Sequence, residues 1–175
     1  MAELQYQFST STAFASRIIR ILTCSPFSHV DLVLPGEGLL GVSGKDASIK
    51  DPGGVVIRPF DAWPYMGIPK TARVQCSEEV ARKTIEYVRS QIGKPFDKKA
   101  LYAFLKDRAG IGNIGRQWRD PEKWFCSEVQ VRGLEVGGLF PYSLIQPKNV
   151  ISPNTLLLYV NPFMTEDNIK EFRDG

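Results

Sequence analysis

Residues 28–34 (SHVDLVL) alternate between polar and apolar side chains, with His29 and Asp31 on one side and aliphatic residues on the other. Alternation with a period of two is typical of a half-buried β-strand. The turn residues 35–38 (PGEG) follow at once, so we predict a β-hairpin. GGVVIRPF and TARVQC have the same strand character further along the chain. The predicted strands are residues 28–34, 39–43, 53–60 and 71–76.

Helical periodicity appears before and after these strands. Residues 12–23 form an amphipathic pattern that ends at Ser25-Pro26. Its predicted apolar side consists of Phe14, Ile18, Ile21 and Leu22. Ser77 has the features of a helix N-cap, since two glutamates follow it in what would be the first turn. The other predicted helices cover residues 77–93, 97–107, 124–136 and the last dozen residues.

The order of these elements predicts the fold class. Residues 151–160 (ISPNTLLLYV) are predicted to end in a strand, and the Gly-rich residues 109–120 are predicted to be irregular. Strands first, then helices and then a late strand indicate an α+β fold. A length of 175 residues suits a single domain, residues 1–175, that buries a sizeable core.

Charge and hydropathy argue against several classes of function. The formal net charge is only +3 and no dense run of Lys and Arg occurs, so we expect no nucleic-acid partner. No apolar run approaches the length of about 20 residues that is needed to span a bilayer, so we expect no integral membrane segment. The N-terminal MAELQYQFSTST lacks a basic region followed by an apolar stretch. We therefore predict synthesis in the cytoplasm, with any export proceeding without a signal peptide.

The chain has three cysteines and a single histidine, His29. The odd number and wide spacing of the cysteines argue against a disulfide framework and favour a reducing compartment. Cys24 ends an amphipathic helix and Cys76 ends a strand, where a free cysteine is typically a small buried hydrophobe. A zinc site built from the cysteines and His29 would lack any close paired spacing, and we expect neither a metal nor another cofactor.

Cys126 differs from the other two cysteines because it lies near the start of a predicted helix (WFCSEVQVRGLEVGG). Unpaired backbone N–H groups and the helix dipole at that position favour the reactive thiolate and would hold a developing oxyanion. Asp120-Pro121 is itself a good helix start, and a helix running on from there would place Cys126 in its second turn. The strand alternation puts His29 on the face away from the aliphatic side chains, a suitable position for a base.

The order of these segments resembles the circularly permuted branch of the NlpC-type papain-like cysteine peptidases. The segments are FSHVDLVL with its hairpin, then IGKPFD, WFCSEV and ISPNTLL, and together they cover residues 28 to 160. In that branch the histidine strand precedes the cysteine helix, the reverse of the order in papain. The resemblance implies Cys126 as the nucleophile, His29 as the base and a small antiparallel sheet packed against helices.

Enzymes of this kind usually have a third polar group on the strand after the histidine, but LLGVSG contains no carboxylate. A hairpin register that pairs His29 with Ser43 would let Ser43 orient the imidazole, and a register shifted by one would place Gly44 there instead. Asp31 shares the face of His29 but lies two residues along the same strand, an awkward position from which to reach the ring. Glu128 is a further candidate, or a first-turn acid that supports the helix dipole.

The predicted function is a thiol hydrolase that transfers acyl groups from an amide or ester substrate, and the resemblance suggests cell-wall peptides. Some relatives act instead on lipid esters, amides or thioesters. A set of aromatic side chains would line a cleft for either substrate or simply pack in the core and loops. These aromatic residues are Trp63, Tyr65, Trp118 and Trp124. The alternative is a non-catalytic binding or structural module, favoured by the missing orienting group and opposed by the presence of both Cys126 and His29.

Overall fold

The computed structural model describes most of the chain. The described residues are 1–11, 14–44, 53–61, 67–99, 102, 106, 110, 122–140 and 151–174. Within them, the strands are β1 (Ala2–Ser9), β2 (His29–Leu34), β3 (Gly38–Ser43), β4 (Gly54–Arg58) and β5 (Lys70–Cys76). The helices are α1 (Phe14–Thr23), α2 (Glu78–Ser90), α3 (Cys126–Gly137), α4 (Pro153–Val160) and α5 (Glu166–Asp174), with a short 3₁₀ turn at Asn161–Phe163.

The five strands form one antiparallel sheet in the order β4-β3-β2-β1-β5. The predicted α+β class is therefore confirmed, as is the hairpin, in which Leu32 pairs with Leu40 and Leu34 with Gly38. The other two predicted strands correspond to β4 and β5. None of the helices in the described ranges is long and apolar enough to cross a membrane.

The N-terminal strand β1 is not among the predicted strands, although it lies between β2 and β5. Leu4, Tyr6 and Phe8 are buried at every second position, while the residues between them are more exposed. This is the alternation of a strand with one face in the core. These three side chains belong to the main hydrophobic cluster of the protein, so β1 contributes to the centre of the core.

The predicted helices α1, α2, α3 and α5 are present, and their ends follow the expected signals. The Ser77 side chain accepts a hydrogen bond from the Val80 amide at 3.2 Å, which confirms the predicted cap of α2. Gly138 ends α3 in the left-handed conformation, with φ at 87°. The predicted apolar side of α1 is partly wrong, because Ile19 is buried and Ile21 is 64% exposed.

The strand predicted at the end of residues 151–160 is wrong, because this segment forms helix α4. The Ser152 side chain accepts a hydrogen bond from the Thr155 amide at 3.1 Å, and Pro153 occupies the first helical turn. Both residues are strong helix-start signals that outweigh the strand propensity of the later Leu, Tyr and Val residues.

Helix α5 covers the outer edge of β5. The Asn168 side chain accepts a hydrogen bond from the Arg73 amide at 2.7 Å and donates one to the Thr71 carbonyl at 3.1 Å. An edge strand whose backbone groups are covered in this way is protected from pairing with another chain.

Candidate active site

The first residue of helix α3 is Cys126. Phe125 precedes it as an extended N-cap residue, with φ at −100° and ψ at 152°. The Val129 amide donates to the Phe125 carbonyl at 3.2 Å, so helical bonding begins one turn after the cysteine. The first amides of a helix have no carbonyl of the same helix four residues before them, and Cys126 occupies such a position. The position predicted for Cys126 is confirmed, and Asp120-Pro121 lies outside the described residues.

The start of α3 is held against the sheet by the segment that contains GKPFD. The Val55 amide of β4 donates to the Lys94 carbonyl, and the Gly93 amide donates back to the Val55 carbonyl, both at 2.9 Å. The following residues pair with the segment just before the cysteine. Phe96 forms an isolated β-bridge with Trp124, and the Trp124 amide donates to the Pro95 carbonyl at 3.1 Å. This ladder links β4 to a backbone position two residues before Cys126.

Side chains of α3 itself add two more anchors. Gln130 Nε2 donates to the Leu40 carbonyl of β3 at 2.9 Å, and Gln130 is fully buried. Ser127, also fully buried, donates its hydroxyl to the Ile151 carbonyl just before α4. Hydrogen bonds between buried groups are costly to break. The helix that carries Cys126 is therefore fixed to both the hairpin and the following helix.

His29 is the first residue of β2, and the Cys126 side chain lies near its imidazole. The cysteine is one of the groups that raise the pKa of His29. Cys126 is only 2% exposed, whereas the His29 side chain is 12% exposed. The imidazole is thus the member of the pair that contacts solvent more.

Asp31 also reaches the imidazole, with Oδ1 at 3.0 Å from His29 Nε2. The expectation that a residue two positions along the strand is awkwardly placed for this contact is wrong. Arg58 of β4 donates from Nη2 to the same Oδ1 at 2.5 Å, and its Nη2 lies 3.2 Å from His29 Nε2. The described site therefore joins a thiol, an imidazole, a carboxylate and a guanidinium.

The charges of this cluster set the protonation of its members. Burial lowers the pKa of His29, but the Asp31 carboxylate and the contact with Cys126 raise it by more, to about 9. Burial raises the pKa of Asp31, but the Arg58 and His29 cations lower it by more, to about 2. At neutral pH the cluster therefore contains an imidazolium beside a carboxylate. In that state Nε2 donates its proton to Asp31.

Gly41 of β3 makes room for the carboxylate. A Cβ atom at this position would overlap Asp31 Oδ1 and would lie 2.9 Å from its Cγ. Arg58 pairs across β4 and β3 with Leu39, two residues from Gly41. The Arg58 guanidinium thus extends from β4 across β3, at the position where Gly41 has no side chain, to the Asp31 carboxylate on β2.

Ser43 and Glu128 are the other two predicted site residues. The hairpin register pairs Leu32 with Leu40, which is the register that the Ser43 prediction requires, and Ser43 is buried. Glu128 is in the first turn of α3, two residues after Cys126, and is half-buried. An orienting role for either residue stays a prediction, whereas Asp31 contacts the imidazole directly.

The two remaining cysteines differ from Cys126 in their surroundings. Cys24 is exposed and Cys76 is half-buried, and burial raises the pKa of the Cys76 thiol. Within the described ranges, no group of three or more His, Cys, Asp or Glu side chains gathers in a form that would hold a metal ion. Of the predicted cleft aromatics, Trp124 is 3% exposed and donates from Nε1 to Gln91 Oε1 at 3.2 Å. Trp63, Tyr65 and Trp118 lie outside the described residues, as do most of the segment 109–120 and most of 97–107.

Two residues of the site were missed in the sequence. Arg58 gives one usable signal, a charged residue inside an otherwise apolar strand segment. The sequence does not reveal its partner, because Arg58 and Asp31 lie on strands that are separated by β3. Gly41 gives a weaker signal, a glycine within a strand, which often marks a close approach of another group.

No protein-family model matches the chain, and a search of curated proteins finds no similar sequence. The chemistry of the site therefore rests on its own geometry. A thiol in contact with an imidazole that is held by a carboxylate can pass a proton between sulfur and a reacting group. The amides at the start of α3 lie beside that thiol, where they can stabilise negative charge on a carbonyl oxygen.

Proposed function

We propose that this chain is a cysteine-dependent hydrolase that acts by acyl transfer, with Cys126 as the nucleophile, His29 as the acid and base and Asp31 as the orienting residue. The observation that carries this proposal is that His29 contacts Asp31 and has the Cys126 side chain near its ring. This is the arrangement that activates a nucleophile with an adjacent base held by a third group. The resemblance to permuted NlpC-type peptidases assigns the same roles to Cys126 and His29.

The first step forms a thioester. The reacting state is the ion pair of Cys126 thiolate and His29 imidazolium, in which the imidazolium holds the proton that left the thiol. Cys126 Sγ attacks the carbonyl carbon of the substrate, and the amides at the start of α3 bind the oxyanion. The bond to the leaving group then breaks, and His29 donates the proton to the departing amine or alcohol. Because Nε2 faces Asp31, we assign the proton exchange with sulfur to Nδ1.

The second step releases the acyl group. His29, now neutral, accepts a proton from water as the water oxygen attacks the thioester carbonyl. The carbon–sulfur bond breaks, the carboxylic acid leaves and the proton returns to the Cys126–His29 pair. Asp31 keeps the ring in one orientation through both steps and stabilises the imidazolium that forms.

The substrate class follows from the resemblance, which suggests amides in cell-wall peptides, while lipid esters and thioesters are the second choice. A non-catalytic module with the same fold is the competing function. It is favoured by the burial of Cys126, which is 2% exposed, as is common for a structural cysteine.

The test is a parallel assay on peptidoglycan fragments, short peptide amides and acyl thioesters, with intact-mass detection of an acyl adduct. We expect at least one substrate class to be turned over and the adduct to map to Cys126. Cys126→Ala should abolish both signals, and His29→Ala should reduce turnover by about 1,000-fold or more. Cys24→Ala is the matched control and should retain full activity. Turnover that survives Cys126→Ala, or no adduct with any of the three classes, would refute the hydrolase proposal.

A further inference from the structure

Arg58 is a buried charge that exchanges no proton and forms no bond in the two-step mechanism. Its side chain is 6% exposed, and it ends strand β4, two strands away from the carboxylate that it binds. Placing a guanidinium below the surface is costly unless an anion compensates it. Asp31 supplies that anion, with Oδ1 at 2.5 Å from Nη2.

Arg58 and His29 bind the same oxygen of Asp31. Arg58 Nη2 and His29 Nε2 both contact Oδ1, and the two nitrogens lie 3.2 Å apart. Because a guanidinium only donates hydrogen bonds, a protonated His29 beside it is a second cation on one carboxylate oxygen. Each cation therefore weakens the electrostatic attraction between Asp31 and the other cation.

The charges that face His29 in the described part of the chain come from three elements. Asp31 lies on β2, Arg58 on β4 and Cys126 on α3. An imidazolium, a guanidinium, a carboxylate and a thiolate sum to zero charge. Without Arg58 the same reacting state would hold an excess negative charge in a buried place, which low dielectric makes unfavourable.

We propose that Arg58 is a positioning residue that fixes the Asp31 carboxylate against His29 and keeps the proton on His29 exchangeable during turnover. This inference rests on the proposed function. It predicts that the guanidinium charge, and not only its packing, matters for the reaction. A histidine held by an uncompensated buried carboxylate would keep its proton too tightly to act as a base toward water.

The test uses three substitutions at one position. Arg58→Met and Arg58→Gln remove the charge, and glutamine keeps a hydrogen-bond donor in case the methionine variant does not fold. Arg58→Lys keeps the charge and should restore the wild-type behaviour at least in part. Arg73→Met removes an ion-paired arginine from β5, on the other edge of the sheet, and is the matched control.

The primary readout is the NMR titration of the imidazole, which is unambiguous because His29 is the only histidine. We expect the pKa of His29 to rise by about one pH unit or more in the neutral variants and to stay near the wild-type value in Arg58→Lys and Arg73→Met. With a substrate in hand, kcat should fall by about tenfold or more in the neutral variants while KM changes little.

An unchanged or lower pKa of His29 in folded Arg58→Gln, or equal behaviour of Arg58→Gln and Arg58→Lys, would overturn the inference. The titration needs no substrate, so this failure is separate from failure of the proposed function. The latter would appear as an unreactive Cys126 in the wild-type protein.

Discussion

Replacing Gly41 with alanine points a methyl group at the carboxylate that holds His29. The new Cβ would overlap Asp31 Oδ1 and lie 2.9 Å from its Cγ, where ordinary contact begins at 3.4 Å. The Gly41 backbone does not have a positive φ, so alanine meets no strain other than this contact. The substitution is therefore a targeted displacement of Asp31.

The loss of stability in Gly41→Ala follows from the two groups that bind Asp31 Oδ1. Moving the carboxylate by about 1 Å or more breaks its contacts with Arg58 at 2.5 Å and with His29 at 3.0 Å together, because both use one oxygen. Breaking a buried ion pair costs about 3–5 kcal/mol. For a protein of this size each kcal/mol lowers Tm by about 2–4 °C, so we expect a loss of about 6–20 °C.

Thermal and urea unfolding measure the stability of Gly41→Ala, and Gly44→Ala is the matched control. Gly44 follows β3 directly, and a Cβ atom added there would meet no heavy atom within 4 Å. The Gly44→Ala variant should therefore remain within about 0.5 kcal/mol of the wild type. Asp31→Ala removes the carboxylate that causes the overlap at Gly41. Gly41→Ala should consequently cost little more in an Asp31→Ala background.

Equal unfolding free energies for Gly41→Ala and Gly44→Ala would refute this reasoning, since the carboxylate would then not occupy the space at Gly41. A full Gly41→Ala penalty in the Asp31→Ala background would refute it as well. That result would assign the cost to the strand backbone and not to Asp31.

Four further predictions follow from the same structure. Asp31→Asn should lower the pKa of His29 from about 9 to below 6.5, because burial then acts without the carboxylate, and NMR titration measures this change. Because its pKa is raised, His29 contributes about 3 kcal/mol to the free energy of unfolding below pH 6.5, and this contribution is lost as pH rises through about 9. Urea unfolding should show this decline in the free energy of unfolding, and His29→Gln should remove it. The contribution of Asp31 to the free energy of unfolding should be present above pH 3.8 and lost as pH falls toward about 2. Gly137→Ala should destabilise the protein in thermal unfolding, because its Cβ would lie 2.9 Å from the Val80 carbonyl of α2, yet it should leave the labelling rate of Cys126 nearly unchanged.

The sequence predicts the hairpin, the capped helix α2 and the cysteine at the start of α3, because each depends on local signals. It also contains the alternation of Leu4, Tyr6 and Phe8 with polar residues, a strand signal that the prediction missed although this strand lies inside the sheet. For α4, two helix-start residues decide the outcome against the strand propensity of those that follow.

The candidate site likewise contains residues that the sequence reveals and residues that it does not. Cys126 and His29 stand out by type and position, whereas the contact of Asp31 with the ring depends on side-chain directions that strand periodicity alone does not fix. Arg58 depends on strand order and on the missing side chain at Gly41. Such contacts between distant strands are tertiary information, which a single sequence does not display.

The most direct test of the central claim is the rate at which each of the three cysteines reacts with a low dose of iodoacetamide at neutral pH, followed by peptide mapping. Exposure alone predicts that Cys24 reacts first and the buried Cys126 last. Activation by His29 predicts the reverse, with Cys126 fastest and slowed by about tenfold or more in His29→Ala, while the rates of the other two cysteines stay constant. A Cys126 that reacts no faster than Cys24, or at the same rate without His29, would contradict the account.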